Sequence, residues 1–290
     1  MEADDALART PWLIVANLLQ GVNNSEARIL LALPCDIDLL AARLPHLISE
    51  QTSVEWDEAK GTLRAWKRQQ LGRLVIKAQP LAKPSAEELS LALLNWVRNQ
   101  GISALNWSDS AKQLRLRLQC AAQWLPEVNW PTVDDDSLLD SLESWLLPAL
   151  DGVRDLRGLQ NINLTDALLS LMDWSMRQRL DTALPTHYTV PTGSRLPLQY
   201  FSDKPPVLAV RLQEVFGEQH SPKIAEGRVA LVLELLSPAH RPLQITRDLA
   251  AFWQGSYREV QKEMKGRYPK HAWPDDPGNA LPTRRTKRYQ

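Results

Sequence analysis

Residues 54–78 read VEWDEAKGTLRAWKRQQLGRLVIKA, and the pattern of this stretch decides the fold of the N-terminal part of the chain. Apolar and polar residues alternate in three runs, Val54–Asp57, Thr62–Gln69 and Arg73–Ala78, and Glu58–Gly61 supply a turn. The pattern predicts a three-stranded meander.

Two further strands and a helix are predicted upstream of this meander. The apolar run Trp12–Leu19 favours a buried strand, Ala27–Leu33 favours a second strand, and Asp36–Leu44 has the spacing of a helix that stops at Pro45. Five strands with a helix after the second resemble an OB-like barrel, a scaffold that commonly binds single strands. Other five-stranded barrels fit the same pattern.

Downstream, the chain is predicted to be mostly helical as far as residue 184. The capping box Ser85-x-x-Glu88 opens one helix, and Gly101 ends it. Further helices are predicted from a Ser108 cap to Pro126, over Asp134–Leu147 and over Thr165–Leu180. Acids outnumber bases in this bundle, so we expect it to repel nucleic acid and to face solvent or a partner protein.

A third unit begins at Pro185. The predicted elements are a hairpin of His187–Val190 and Arg195–Tyr200, a helix over Pro206–Phe216, a buried strand over Val229–Leu236, a strand over Arg241–Ile245 that pairs back, and a final helix capped by Thr246. The predicted fold class is therefore α+β, with an OB-like five-stranded β-barrel at 1–80, a helical bundle at 85–184 and a small antiparallel α+β unit at 185–290 that ends in a helix and a basic, Pro-rich tail.

Composition limits the class of protein. The chain has 290 residues, of which 44% are hydrophobic, and 34 basic residues balance 34 acidic ones. This is the profile of an ordinary globular protein with real cores. The longest apolar runs fall short of a membrane span, and the acidic start after Met1 is unlike a secretory signal, so we expect no membrane association and a cytoplasmic location.

Charge is nevertheless sorted by position. From Arg241 to the end, eleven Lys or Arg residues face five acids, and aromatic and proline residues lie among them. A polyanion responds to such a local potential, so the pattern favours binding of single-stranded RNA or DNA. The candidate contacts are Arg258, Lys262, Lys265, Arg267, Lys270, Arg284, Arg285, Lys287 and Arg288. A solvated helix face paired with Glu259 and Glu263, or a tail docked on an acidic face of the same molecule, would give the same pattern.

The meander supplies a second candidate patch. Its residues are Arg64, Trp66, Lys67, Arg68, Arg73 and Lys77. Strand alternation places Arg64, Trp66 and Arg68 on one face, where an aromatic ring between two cations would suit a base and its phosphates. A hairpin edge protected by charge against aggregation would look similar.

Catalytic signatures are missing from the sequence. It has no phosphate loop, no H-E-x-x-H, no G-x-S-x-G and no G-x-G-x-x-G motif. His187 with Ser194, or His271 with Asp275, would be the only imaginable catalytic pairs, and such pairs are far more often structural. We therefore expect no catalytic residue, no metal site and no cofactor in this chain.

The C-terminal third carries a resemblance to a known family. The matching blocks are His187-x-Thr189-Val190-Pro191-x-Gly193-Ser194-Arg195, Pro206–Gly217, Leu235–Pro242, Asp248–Tyr257 and Gly266-Arg267-Tyr268-Pro269-Lys270-His271-x-Trp273-Pro274. Together they resemble the C-terminal region of HrpB-type bacterial DEAH-box ATP-dependent helicases. Within these blocks, Phe252, Trp253, Tyr268, His271 and Trp273 are interpreted as structural residues, and we expect Trp273 to be buried.

The resemblance implies an accessory region of an ATP-dependent RNA helicase. It implies that RecA-like motor domains of the same polypeptide are partners of this region and that ATP and Mg²⁺ belong to that motor. It also implies that residues up to about Pro80 are an OB-like domain. The leading hypothesis is non-specific binding of single-stranded nucleic acid in support of the motor. The alternative is a protein-interaction or autoinhibitory module that docks on the motor or on another protein.

Overall fold

The computed structural model describes residues 6–20, 27–57, 62–81 and 84–286. Two compact units are distinguished, Met1–Leu93 with Gly152–Leu156, and Leu94–Asp151 with Arg157–Gln290. The predicted helical bundle and the predicted C-terminal unit lie mostly within the second of these. In the described ranges, no helix is both long enough and apolar enough to cross a bilayer.

The first unit contains the five predicted strands. They are β1 (Leu13–Gln20), β2 (Ala27–Pro34), β3 (Ile48–Asp57), β4 (Thr62–Leu71) and β5 (Leu74–Leu81), with helix α1 (Ile37–Arg43) after β2. The carboxylate of Asp36 caps α1 by accepting from the amides of Asp38 and Leu39. The helix and all five strands are confirmed, but β3 begins at Ile48 rather than at the predicted Val54.

Closure of these strands into a barrel is not observed. The strands β3, β4 and β5 form an antiparallel meander, whereas β1 and β2 pair only with each other among the residues described. The fold class of the chain is α+β, and the first unit consists of a ribbon and a separate three-stranded sheet.

The expected burial of β1 is wrong. Ile14 is 50% exposed and Leu19 is 60% exposed, and on β2 Leu31 and Leu33 are 59% and 62% exposed. An apolar run shows that a strand can be buried, but it does not show what covers it. A two-stranded ribbon by itself does not bury its own faces.

Two well-capped helices follow. They are α2 (Ala86–Gln100), whose residues belong to the first unit up to Leu93 and to the second from Leu94, and α3 (Asp109–Trp124) of the second unit. The predicted capping box is confirmed, since the amide of Ser85 donates to the Glu88 carboxylate at 2.8 Å and the amide of Glu88 donates to the Ser85 hydroxyl at 3.2 Å. The hydroxyl of Ser108 caps α3 through the amide of Ala111, as predicted.

The next two predicted helices are each interrupted. Asp134–Leu147 becomes α4 (Asp135–Asp140) and α5 (Leu142–Trp145), and α6 (Leu156–Gln160) follows. Thr165–Leu180 becomes α7 (Leu164–Leu169) and α8 (Trp174–Ala183). The second break arises because Asp173 accepts from the amide of Met176 and so begins a new helix in the middle of the apolar pattern.

A mixed five-stranded sheet follows, in the order β12-β11-β8-β7-β6. Its strands are β6 (His187–Thr189), β7 (Arg195–Gln199), β8 (Val207–Arg211), β11 (Val232–Leu236) and β12 (Pro242–Thr246), and a small ladder joins β9 (Lys223–Ile224) to β10 (Val229–Ala230). The hairpin of β6 and β7 and the return pairing of β12 on β11 are confirmed.

Two predictions for this sheet are wrong. The predicted helix Pro206–Phe216 is the strand β8 followed by a 3-10 turn over Leu212–Glu214. The strand β8 pairs with β11 in parallel, so the sheet is mixed rather than antiparallel. A short apolar run fits a buried strand as well as a helix, and only the distant partner strand decides between them.

Two short helices complete the unit, α9 (Leu249–Gln254) and α10 (Tyr257–Arg267). The predicted cap at Thr246 is wrong, because it is the Asp248 carboxylate that accepts from the amide of Ala251 at 3.0 Å. The hydroxyl of Thr246 instead accepts from the amide of Asp248 and closes the turn before the helix.

The helical segments and the sheet pack together within this unit. The guanidinium of Arg117, in α3, is buried and donates to the carbonyl of Leu184 at 2.9 Å and to Asp181 at 2.8 Å. The side-chain amide of Gln113 accepts from the backbone amide of Tyr200 at 2.9 Å. Fixed polar groups therefore tie the helices to the sheet region.

Candidate nucleic-acid interface

An aromatic cluster fixes α9 and α10. The ring centroids of Phe252 and Trp253 lie 5.1 Å apart, and the rings of Trp253 and Tyr257 meet edge-on at 5.3 Å. The indole of Trp253 donates to the carbonyl of Glu218 at 2.7 Å. Phe252 and Trp253 thus have the packing role that the sequence suggests.

The segment after α10, residues 268–276, is held against that helix, and we call it the strap. Trp273 is 5% exposed, as expected, and its indole donates to the carbonyl of Tyr268 at 2.9 Å. The amide of Gln261 donates to the carbonyls of Trp273 and Pro274 at 3.0 and 2.8 Å, and the hydroxyl of Tyr257 donates to Pro274 at 2.8 Å. These bonds orient α10 and decide which of its faces is open.

Charges are segregated around α10. Residues 257, 261, 264 and 268 face the core and the strap, because they follow helical spacing. Arg258, Lys262 and Lys265 are exposed along the neighbouring stripe, at the spacing i, i+4 and i+7. The two acids Glu259 and Glu263 occupy the stripe beyond. The helix therefore presents a cationic face, defined by Arg258, Lys262 and Lys265.

The cations of this face make no ion pair with any residue in the described ranges. Glu263 bonds to Arg267 at 3.2 Å instead of to Lys262, and that pair is exposed. The pairing of Lys262 with Glu259 or Glu263, which the solvated-face alternative allowed, is not observed among the described residues. Lys270, Arg284 and Arg285 are also exposed, whereas Lys287 and Arg288 lie outside the described residues.

The meander presents a different arrangement, because its strand register places carboxylates beside its cations. Arg64 pairs with Asp57 at 2.8 Å, Lys67 with Glu50 at 2.7 Å, and Arg68 with Glu55 through two bonds of 2.5 and 2.8 Å. The ion pair with Lys67 lowers the pKa of the Glu50 carboxyl through its hydrogen bond.

The register also divides the predicted patch between two faces of the sheet. Arg64, Trp66 and Arg68 share one face as predicted, and Trp66 is half-buried. Lys67 and Lys77 share the opposite face, while Arg73 is exposed at the turn between β4 and β5.

The imagined catalytic pairs are not assembled. The hydroxyl of Ser194 donates to Glu214 at 2.5 Å, and the ring of His187 bonds to Thr186 at 3.0 Å. His271 is half-buried, and its pKa is lowered by burial and then by the nearby charge of Arg211. In the part of the chain that the structure describes, no group of three or more His, Cys, Asp or Glu residues could hold a metal ion.

Sequence reasoning missed the role of Glu214. This carboxylate is 3% exposed and accepts from Thr192 at 2.8 Å, from Ser194 at 2.5 Å and from Arg211 at 2.8 Å. It holds the hairpin loop against the end of β8. Ser194, Arg211 and Glu214 are matched positions of the blocks that carried the family resemblance, which was the available signal, whereas Thr192 is a variable position of the first block.

Comparison with known families agrees with this resemblance. Residues 145–277 match the family described as ATP-dependent helicase C-terminal, and residues 47–81 match the connector region of the ATP-dependent RNA helicase HrpB. The chain therefore belongs to the HrpB-type DEAH-box helicases, of which it represents the C-terminal region.

One relative is the ATP-dependent RNA helicase HrpB of Escherichia coli (strain K12), to which this chain is 63% identical over 289 residues. The match covers 100% of this chain and 36% of the relative, so the chain spans about a third of the relative's length.

Two solved structures are similar as well. The crystal structure of the E. coli DExH-box NTPase HrpB has a TM-score of 0.73 at 63% identity and covers 99% of this chain and 35% of that one. The crystal structure of the Escherichia coli DEAH/RHA helicase HrpB has a TM-score of 0.66 at 58% identity, covering 94% and 34%.

Proposed function

We propose that this region binds single-stranded nucleic acid non-specifically through the cationic face of α10 and thereby supports an ATPase motor in the same polypeptide. The observation that carries the proposal is the unpaired, exposed state of Arg258, Lys262 and Lys265. The chain supplies no catalytic group in this scheme. ATP and Mg²⁺ are held by the motor.

Competition between carboxylates and phosphates favours this face over the meander. A phosphate that approaches Arg64, Lys67 or Arg68 must compete with a carboxylate already within 2.8 Å. A phosphate that approaches Arg258, Lys262 or Lys265 displaces only water and counterions. Lys270, Arg284 and Arg285 extend the positive surface beyond α10.

The salt dependence of binding tests the proposal. Each phosphate neutralised on a single strand contributes about 0.7 to the slope of log affinity against log salt, so the three cations of α10 contribute about 2. We expect the variant Arg258→Gln/Lys262→Gln/Lys265→Gln to lose that part of the slope in fluorescence anisotropy with a labelled oligonucleotide.

The matched control is Arg64→Gln/Lys67→Gln/Arg68→Gln, which removes the same charge from the meander. We expect this control to bind nearly as the unmodified chain does, because its cations are already paired. The proposal is contradicted if the affinity of the unmodified chain does not change with salt concentration. It is also contradicted if both variants lose the same part of the slope.

Exposed apolar residues favour a second function, protein docking by the first unit. Ile14 and Leu33 lie opposite each other on β1 and β2 and are 50% and 62% exposed. A contiguous apolar surface of this kind marks an interaction site. The RecA-like motor domains of the same polypeptide would cover this surface. This second proposal also includes closure of β1 and β2 with β3, β4 and β5 into an OB-like barrel.

Docking is tested in the full helicase by the variant Ile14→Ser/Leu33→Ser. Loss of a motor contact predicts an altered ATPase rate and new protease cleavage in the first unit. A decrease in rate indicates support of the motor, and an increase indicates autoinhibition. The control is Ile245→Ser on β12, which changes an equally exposed residue in the other unit. Unchanged rate and cleavage contradict the docking role.

A further inference from the structure

An apolar groove lies beside the strap in the second unit. Its volume is about 640 Å³, and its lining includes Phe216, Trp273, Pro274, Leu281 and Pro282. This volume is within the range of about 300–1,000 Å³ typical of pockets for small organic ligands. Leu281, in the lining, is 85% exposed.

The groove is joined to the cationic face of α10 by Gln261. This residue lies three positions after Arg258 and four before Lys265, so it is their neighbour on the helix surface. Its amide donates to the carbonyls of Trp273 and Pro274, two residues of the groove lining. At the other end of the lining, Arg284 follows Thr283 directly and is exposed. Cations therefore flank an apolar surface.

Two carboxylates near the groove decide where phosphates can lie. Asp275 accepts from the Gln261 amide at 2.9 Å, and Asp276 accepts from the Asn279 amide at 2.8 Å. Both remain exposed and repel phosphate along that part of the strap. Because Asp275 lies against Gln261 of α10, phosphates are expected on the side of the cationic face that points away from the strap, and the groove is left for an uncharged group.

We infer that the groove receives an unstacked base of the single strand whose phosphates lie along α10. This inference rests on the proposed function and adds a subsite to it. Phe216 and Trp273 are buried beneath the groove, and the accessible contact is supplied by Leu281, Pro274 and Pro282. An apolar contact of this kind can be made by every base, so the subsite is tolerant of sequence. The bridging amide of Gln261 fixes the strap relative to the phosphate-binding cations.

The test compares two oligonucleotides of about 12 nucleotides, within the usual site size, one with all its bases and one with abasic positions. Both carry the same phosphates, so the ratio of their affinities for the whole chain isolates the contribution of bases. For the unmodified chain we expect the intact strand to bind more tightly than the abasic one, because contact with the groove removes apolar surface of a base and of Leu281 from water.

Variants at Leu281 change that ratio in opposite directions. Leu281→Ser should lower it, and Leu281→Trp should raise it, with the salt slope unchanged in both because no charge is altered. Ile245→Ser and Ile245→Trp are the controls, since Ile245 is 65% exposed on β12 and should leave the ratio unchanged.

The failures of the two ideas are distinguishable. Equal affinities for the two oligonucleotides, with a normal salt slope, would overturn the base subsite and leave the proposed function standing. A changed ratio in the Ile245 variants alone would also overturn it. Failure of the unmodified chain to bind either strand would remove the proposed function itself.

Discussion

At the scale of single residues, Glu214 is a buried carboxylate of the second unit that accepts from three side chains. Its neighbours Thr192, Ser194 and Arg211 all donate to it, and its side chain is 4% exposed. Replacing it leaves a guanidinium and two hydroxyls without their acceptor. Unpaired buried polar groups are costly, so this residue controls the stability of the hairpin loop.

We predict that Glu214→Gln lowers the free energy of unfolding by about 2 kcal/mol, within the range for hydrogen bonds to a charged group, because glutamine keeps one oxygen acceptor but loses the charge and the second oxygen. Urea denaturation followed by circular dichroism measures this change. The control is Glu263→Gln, which removes an exposed ion pair with Arg267 and should cost less than about 1 kcal/mol. Equal losses of unfolding free energy in the two variants would show that the buried bonds of Glu214 stabilise the fold no more than an exposed ion pair does.

The same carboxylate predicts a pH dependence. Burial by itself raises the pKa of Glu214, but hydrogen bonds from Ser194, Thr192 and Arg211 outweigh burial and lower this pKa below its usual value. The stabilisation is therefore present above the unfolded-state pKa, about 4.3, and is lost as the pH falls through the folded-state pKa. The difference in unfolding free energy between the unmodified chain and Glu214→Gln should shrink at such acidic pH. A difference that stays constant down to pH values below that range would contradict this assignment.

At the scale of elements, the start of α9 is held by two side chains, of which Asp248 is the helix cap. The Asp248 carboxylate accepts from the Ala251 amide, and the Ser221 hydroxyl accepts from the Leu249 amide beside it. We predict that Asp248→Ala costs about 1 kcal/mol, the typical value of a helix cap. Asp248→Asn keeps an acceptor and should cost much less. Thermal denaturation distinguishes the two, and equal shifts in Tm would show that capping is not the role of Asp248.

The elements show what could be predicted from sequence and what could not. Local signals were sufficient for the capping box at Ser85, the Ser108 cap and the hairpin of β6 and β7, because each involves residues close in sequence. The strand β8 was predicted as a helix because its parallel partner β11 begins more than twenty residues later. The choice between Thr246 and Asp248 as cap depended on backbone geometry that either residue type can adopt.

The candidate site was predictable only in part for the same reason. Spacing along one helix placed Arg258, Lys262 and Lys265 on a common face, as the structure shows. The ion pairs of the meander depend on strand register, which joins Arg68 to Glu55 across 13 residues of sequence. Register follows from the whole sheet rather than from composition, so the neutralisation of those cations was not visible in the sequence.

At the scale of the whole molecule, Arg117 joins α3 to the end of α8, and Gln113 joins α3 to Tyr200, the residue after β7. The side chain of Arg117 is 6% exposed, and its bond to the Leu184 carbonyl spans 67 residues of sequence. Its ionic partner Asp181 is 72% exposed, so removing Arg117 leaves no buried charge behind. The expected cost comes from the lost charged hydrogen bonds.

We predict that Arg117→Met lowers the unfolding free energy of this unit by about 2 kcal/mol, within the range for hydrogen bonds to charged groups. Because the helices and the sheet form one body, hydrogen exchange at amides of α3 and β8 should accelerate together. Arg98→Met is the control, since Arg98 forms an exposed ion pair with Glu143 and should change exchange little. Acceleration confined to α3 would show that the bundle and the sheet are separate folding units, as the division at residue 185 implies.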